Sequence, residues 1–200
     1  MRPRRYSDAG QAFPIYITVV AGLLFLAFAY VAVGQAAVNR GGAQTAADAA
    51  ALAAAQDTRK QLADMWKLDV LDPTKWQDIF DGNVTGLVDS CGHADQLAGQ
   101  NNAHVTSCGP SSGLPPGYTV AVRTDKSVGE SIVPGTENKY SKAAATAVIE
   151  SLCTFQLPGE GAGGNVLPKL TCKDRDWDLD PTDLTDLPGP EDLFDVHLAD

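Results

Sequence analysis

"GGAQTAADAAALAAAQDTRK", residues Gly41–Lys60, follows directly on the most hydrophobic part of a 200-residue chain and is built almost wholly of small side chains. Alanine has the highest helix propensity of any residue, and Ala43 to Lys67 holds ten alanines, so the stretch predicts a helix. A helix so poor in Leu, Ile and Phe makes no core of its own. Leu52, Ala55, Leu62 and Trp66 nevertheless recur at helical spacing, with Asp48, Gln56, Arg59 and Lys60 largely elsewhere around the circumference. They form one narrow stripe, turned toward a sheet or toward a partner. Small side chains let backbones approach closely, which marks Ala46, Ala47, Asp48, Ala50, Ala51, Leu52 and Ala54 as a helix-packing surface. An ordinary surface helix, filled with alanine for propensity alone, is the competing expectation.

Toward the N-terminus, "FPIYITVVAGLLFLAFAYVAV" (Phe13–Val33) lies in a run with no charged residue between Asp8 and Arg40. At ~1.5 Å per residue it is long enough to cross a ~30 Å hydrocarbon layer. Arg2, Arg4 and Arg5 precede it, whereas Arg40 alone follows before Asp48 and Asp57. That basic bias holds the N-terminus in the cytoplasm and exports the rest. A cleaved secretory signal, cut near Ala32–Gly34, is the alternative, but its apolar region would run only ~7–15 residues. Pro14 falls in the first turn, where a missing N–H does little harm; Gly34, Gly41 and Gly42 are weak points in an otherwise continuous helix. The expected organisation is a cytoplasmic head (1–12), a transmembrane helix (13–34), an alanine-rich stalk (35–67), an extracytoplasmic domain (68–172) and an acidic segment (173–200).

Beyond the stalk, "DPTKWQDIFDG" reads as a short helix with Asp72 as N-cap, Pro73 at the first position and Gly82 as its stop, and with Trp76, Ile79 and Phe80 as its apolar face. "CGHADQLAGQNNAHVTSC" predicts a helix over Ala94–Gln100, a turn at Asn101 and Asn102, and a returning strand over Ala103–Cys108. That path brings Cys91 to Cys108. "SSGLPPGYTVAVRT" is a loop and then a half-buried strand, with Tyr118, Val120 and Val122 on one face. "SVGESIVPGTEN" is a turn-rich connection. "KYSKAAATAVIESLC" stays open: alanine favours helix, whereas Thr146, Val148 and Ile149 favour strand. Cys153 and Cys172 flank a glycine-rich loop and form the second pair, as suits an exported domain with a thin core. In the last segment, the alternating "LFDVHL" offers an edge strand.

The formal charge of −10 is concentrated in residues 173–200, which hold ten acids against Lys173 and Arg175. Such a chain has no basic footprint for nucleic acid. "DRDWDLDPTDLT" spaces its acids as a calcium loop does, but Leu179 stands at the glycine position and Thr185 at the final glutamate position. "CGH" (Cys91–His93) is a weak zinc pattern beside the disulfide expectation, and Asn83–Thr85 matches a short glycosylation sequon. His93, His104 and His197 are scattered, and no nucleophile elbow or phosphate loop occurs. No catalytic residue, cofactor or metal site is expected.

Residues Ala9–Gln56, and above all "QTAADAAALAAA", resemble the TadE/TadG-like proteins of tight-adherence (Flp, type IVc) pilus systems in their actinobacterial form. "ADQLAGQNNAHVTSC" followed by "YTVAVRT" is similar to the helix-then-strand ectodomain of the same group. The resemblance implies an α+β, disulfide-stapled, pilin-like ectodomain whose small antiparallel sheet packs on the outer half of one long helix, and it makes "KAAATAVI" a strand. It also implies a non-enzymatic, single-pass envelope protein whose partners are the membrane and other pilus or envelope-apparatus subunits, as a homo- or hetero-oligomer. Relatives cut by a prepilin peptidase carry Gly before the cut, with Glu five and Tyr six residues beyond it. Gly10 and Tyr16 fit a cut between Gly10 and Gln11, but Ile15 stands at the Glu position, so the uncleaved TadG-like members are the closer analogy. An anchored extracytoplasmic ligand- or calcium-binding domain is the second expectation.

Overall fold

The computed structural model describes residues 12–113, 115–127, 138–157, 166–173 and 175–199. The turn-rich connection at 128–137, the centre of the glycine-rich loop, Asp174, and the Gly10–Gln11 bond lie outside them.

The described residues open with one continuous helix, α1 (Ala12–Leu68), that remains α-helical through Gly34, Gly41 and Gly42. No neighbouring atom crowds those glycines, and alanines around them supply the propensity. The two halves of α1 meet different surroundings. Up to Val38 its large apolar side chains are exposed, whereas Ala43, Ala46, Ala47, Ala50, Ala51, Ala54, Ala55, Leu62, Ala63 and Trp66 are fully buried.

What buries them is the rest of the same chain. Strands β1 (Ala103–Pro110), β2 (Gly117–Thr124), β3 (Lys142–Ser151) and β7 (Phe194–Leu198) form an antiparallel sheet in the order β1-β2-β3-β7. α1 lies along β2 and β3, with α3 (Cys91–Gln100) beside it. Tyr118, Val120 and Val122 turn into the core, as alternation in β2 requires. Ala143 and Ala145 are half-buried and Ala147 and Ile149 buried in β3. Thus "KAAATAVI" is a strand: its alternate residues bury small side chains on α1, and that tertiary contact overrides alanine's helical preference. α3 contributes Ala94 and Ala98, both fully buried, so its contact with α1 is alanine against alanine. At Gly117 a Cβ would lie 2.1 Å from the carbonyl oxygen of Ala147, so the tight β2–β3 pairing requires glycine there.

At the other end of the domain the core changes character. After α1 comes a single 3-10 turn (Pro73–Lys75) and then α2 (Trp76–Phe80), two pieces where one short helix was expected. Asp72 accepts from the Thr74 hydroxyl rather than capping a backbone N–H, and Gly82 ends the segment at φ +67. Trp66 and Trp76 stand 5.4 Å apart between ring centroids, Trp76 and Phe155 5.2 Å, Phe80 and Phe155 5.9 Å, and Phe80 and Phe194 5.8 Å. Tilted and edge-on pairs like these contribute ~0.5–1.5 kcal/mol each beyond the area they bury. They tie α1 and α2 to β7 and to a second sheet, β4 (Cys153–Phe155), β5 (Leu170–Cys172) and β6 (Arg175–Trp177), which the sequence reading lacked. The acidic segment is therefore built into the fold. Trp177, Leu193 and Phe194 are core residues, α4 (Pro190–Leu193) packs on α1, and β7 is the edge strand on β3.

Both disulfides join the expected partners. Cys91–Cys108 links the first turn of α3 to β1, and Cys153–Cys172 crosses directly between β4 and β5. Closing loops of 17 and 19 residues removes unfolded-state freedom worth ~3 kcal/mol apiece in the chain-entropy account. α3 starts at Cys91, one turn earlier than expected, and β1 runs two residues further, to Pro110.

The alanine face has no room to spare. Ala50→Leu inserts three heavy atoms between α1 and its own domain and is expected to lower unfolding stability by ~1–3 kcal/mol. Gln56→Leu, on the exposed side of the same helix, should stay within ~0.5 kcal/mol. Denaturant melts of the two variants with disulfides intact check the difference.

Candidate functional site

The uncovered half of α1 is the most unusual surface of the molecule. Phe13, Leu26, Val33 and Val38 are each more than 60% exposed, and none of the most apolar 18-residue window, of mean hydropathy 2.4, is buried. Contiguous apolar patches of more than a few hundred Å² are rare on soluble monomers and mark interaction surfaces. At ~1.5 Å per residue, Phe13 to Val38 extends roughly 39 Å, enough to cross a membrane.

The residues expected to form a helix-packing surface all lie in the covered half. Ala46, Ala47, Ala50, Ala51 and Ala54 are fully buried; Asp48 and Leu52 are half-buried at the rim, where Asp48 accepts from Gln44 Nε2 at 2.8 Å. Of the two expectations for this stripe, sheet or partner, the structure shows the chain's own sheet and α3 in contact with it. A bulky residue at Ala50 or Ala54 therefore disturbs the fold itself.

Two polar staples fix α1 to the domain. At the point where the apolar run ends, Asn39 Nδ2 donates to the carbonyls of Lys126 and Ser127, at 3.3 Å each. Midway along the covered half, Ser90 Oγ donates to Asp57 Oδ2 at 2.8 Å and lies 2.8 Å from Thr58 Oγ1 and 3.3 Å from Gln61 Nε2. Gln61 Oε1 in turn accepts from the backbone N–H of Val88 at 2.7 Å. Neither staple was foreseen, because each joins residues about 30 to 90 positions apart with no motif to announce them.

Asp57 also meets His93 Nε2 at 3.2 Å, so an Asp, a Ser and a His stand together. Their order is wrong for nucleophilic catalysis, in which the histidine must touch the serine hydroxyl and the carboxylate the other ring nitrogen. Here the carboxylate lies between the two, and Ser90 is fully buried. The other histidines pair singly with acids, His104 with Asp125 at 2.8 Å and His197 with Asp195 at 3.2 Å. In the acidic segment Asp180 accepts from the hydroxyl and backbone N–H of Thr182, which holds its carboxylate below the ordinary value. Asp183 accepts from Thr185 in the same way. Among the described residues no three His, Cys, Asp or Glu side chains are grouped to hold a metal ion. An open cavity of about 490 Å³ lies between Thr58, Tyr118 and the Gly82–Asn83 turn, with Pro110 and Pro116 in its wall and Asp81 as the carboxylate among its described lining residues. Asn83 of the sequon is exposed in that turn.

No curated protein and no solved structure matches the chain. Residues 10–57, which take in the uncovered apolar helix and the alanine face as far as the Asp57 staple, match the family model described as "Putative Flp pilus-assembly TadE/G-like".

Proposed function

We propose that this chain is a membrane-anchored, non-enzymatic component of Flp pilus assembly, with its N-terminus in the cytoplasm and its folded domain outside. One coincidence carries the proposal. The matched segment, residues 10–57, contains a helix whose first half has no protein cover and whose second half turns its alanine face onto its own domain, leaving Gln44, Thr45 and Gln56 exposed. The apolar surface left free on α1 for lipid and for other subunits is thus the segment from Phe13 to Val38. The orientation is supported by Arg2, Arg4 and Arg5 ahead of the apolar run. It is supported again by the two disulfides, which persist in oxidising compartments. In this reading the apolar span at 13–34 is the anchor and 35–67 the stalk that carries the domain.

Replacing residues 13–34 with a plain Leu/Ala span of equal length separates anchoring from recognition. Membrane insertion and both disulfides are expected to survive, while co-purification with other pilus subunits and Flp pilus production are lost. Unchanged pili together with unchanged co-purification would overturn the proposal. For the non-enzymatic part, Ser90→Ala leaves Asp57, Thr58 and Gln61 short of a partner and is expected to cost ~1–3 kcal/mol of unfolding stability. An unmoved denaturation midpoint accompanied by loss of ester turnover would instead mark Ser90 as a nucleophile.

A further inference from the structure

The end of the domain beside the apolar run carries a cluster of cations. Arg123 and Lys142 are direct cross-strand partners in the β2–β3 ladder, and the Arg123 guanidinium lies 5.1 Å from the centroid of the Tyr140 ring. Lys126 sits in the turn that holds Asn39, with Arg40 next along the helix. Arg40, Lys126, Lys139 and Lys142 are exposed, and Tyr140 is 43% exposed. The one described carboxylate of the turn, Asp125, is engaged by His104 at 2.8 Å. Counting Glu130 and Glu137, which lie outside the described residues, residues 39–40 and 123–142 hold five cations against three acids in a chain of net charge −10. The acid-rich segment enters the fold at the opposite end, where β6 pairs with β5 and the start of β7 pairs with Ser151.

We propose that this basic end rests on the phosphate headgroups of an anionic lipid leaflet, so that the bilayer surface is a docking partner of the domain as well as of its anchor. The inference rests on the membrane anchoring proposed above. Height along α1 supports it: Asn39 lies five residues beyond Gly34, about 8 Å at the helical rise. The interfacial layer of one leaflet is of similar depth, roughly 5–8 Å. Because Asn39 is bonded to Lys126 and Ser127 at the end of β2, those two residues share its height. α1 continues unbroken between the two, and the Asn39 staple precedes Gly41 and Gly42, so no hinge lifts the domain away. Tyrosine is favoured at the headgroup level, with its ring toward the apolar side and its hydroxyl in water. Basic side chains within a Debye length of an anionic surface are attracted to it, whereas the acids around β6 and at the start of β7 lie at the other end of the domain, where that field is screened.

Lysine footprinting of the full-length protein tests this. The chain is reconstituted into bilayers of phosphatidylcholine alone, or of phosphatidylcholine with phosphatidylglycerol, and acetylated with a water-soluble reagent. Mass spectrometry then reads each lysine. Lys126, Lys139 and Lys142 are expected to lose reactivity in the phosphatidylglycerol bilayer and regain it in ~1 M salt, where the Debye length falls to about 3 Å. Lys60 and Lys67, exposed on α1 far from the basic end, should react alike in both. Equal acetylation of the three lysines in the two bilayers, with the chain floating with both kinds of vesicle, would overturn this inference and leave the anchor standing. A chain that fails to float with phosphatidylcholine vesicles would overturn the anchor and the inference with it.

Discussion

Everything in the domain is positioned by the closeness with which α1 approaches its own sheet and α3. Fully buried alanines at Ala46, Ala47, Ala50, Ala51 and Ala54 meet Ala94 and Ala98 of α3 and the alanines of β3. A contact of this kind is short because a methyl group is all that stands between the backbones. Dispersion and the exclusion of water supply its stability, in many small increments rather than through a few large side chains. Such a surface cannot absorb added volume, because the backbones on both sides are held by hydrogen-bond ladders and cannot retreat independently. The aromatic cluster at the other end works in the opposite way: Trp66, Trp76, Phe80, Phe155 and Phe194 fill space that the short elements α2, β4 and β7 leave between them. The core is thus graded along α1, from methyl groups beside the apolar span to indoles at the far end.

Much of this could be read from residue patterns. The long helix followed from alanine propensity and apolar length and the β2 face at Tyr118, Val120 and Val122 from alternation; Cys91–Cys108 followed from the out-and-back path around Asn101 and Asn102, where Asn102 takes the left-handed conformation at φ 55, and Cys153–Cys172 from the glycine-rich loop the two cysteines flank. What was illegible depended on tertiary partners. "KAAATAVI" has helical propensity and becomes a strand only because α1 offers a surface that small alternating side chains can fit. The second sheet was hidden by composition: in "DRDWDLD" the charges suggest a solvated tail, yet Arg175, Trp177 and Leu179 alternate with the acids at the strand period. Arg175 lies over the Trp177 ring at 3.8 Å, so alternation was the signal and net charge the distraction. The alanine stripe was expected to face a sheet or a partner, with a surface helix filled for propensity alone as the competing expectation; it lies on the chain's own sheet and α3, and periodicity alone does not distinguish such occupants. For the staples at Asn39 and Asp57–Ser90, isolated polar residues paired across long sequence separations leave no pattern at all.

Those staples explain why a helix with paired glycines behaves as one rod. Gly41 and Gly42 sit where propensity is lowest, between the uncovered and covered halves. A hinge there would require the segment just before the glycines to be free. Instead Asn39 is bonded across to the β2–β3 turn on their N-terminal side, while Ala43 is already buried on the other. The weak point is bridged from outside the helix, and bending at the glycines would break the Asn39 bonds before it gained conformational freedom.

In the anchoring proposed here, this rod passes through two solvents, and its composition changes where they meet. Lipid rewards bulk: Leu, Ile, Phe and Val favour insertion by ~0.3–0.6 kcal/mol each at the centre of a span, and the segment from Phe13 to Val33 is rich in them. A protein neighbour that must come close rewards the reverse, and from Ala43 onward the packed positions shrink to alanine. "QAAVNRGG" (Gln35–Gly42) is the exchange, with an amide at Gln35, the Asn39 staple and the first cation after the span, Arg40. A partner within the bilayer that tilts or draws on the first half would move the whole domain, since neither a linker nor a hinge lies between them.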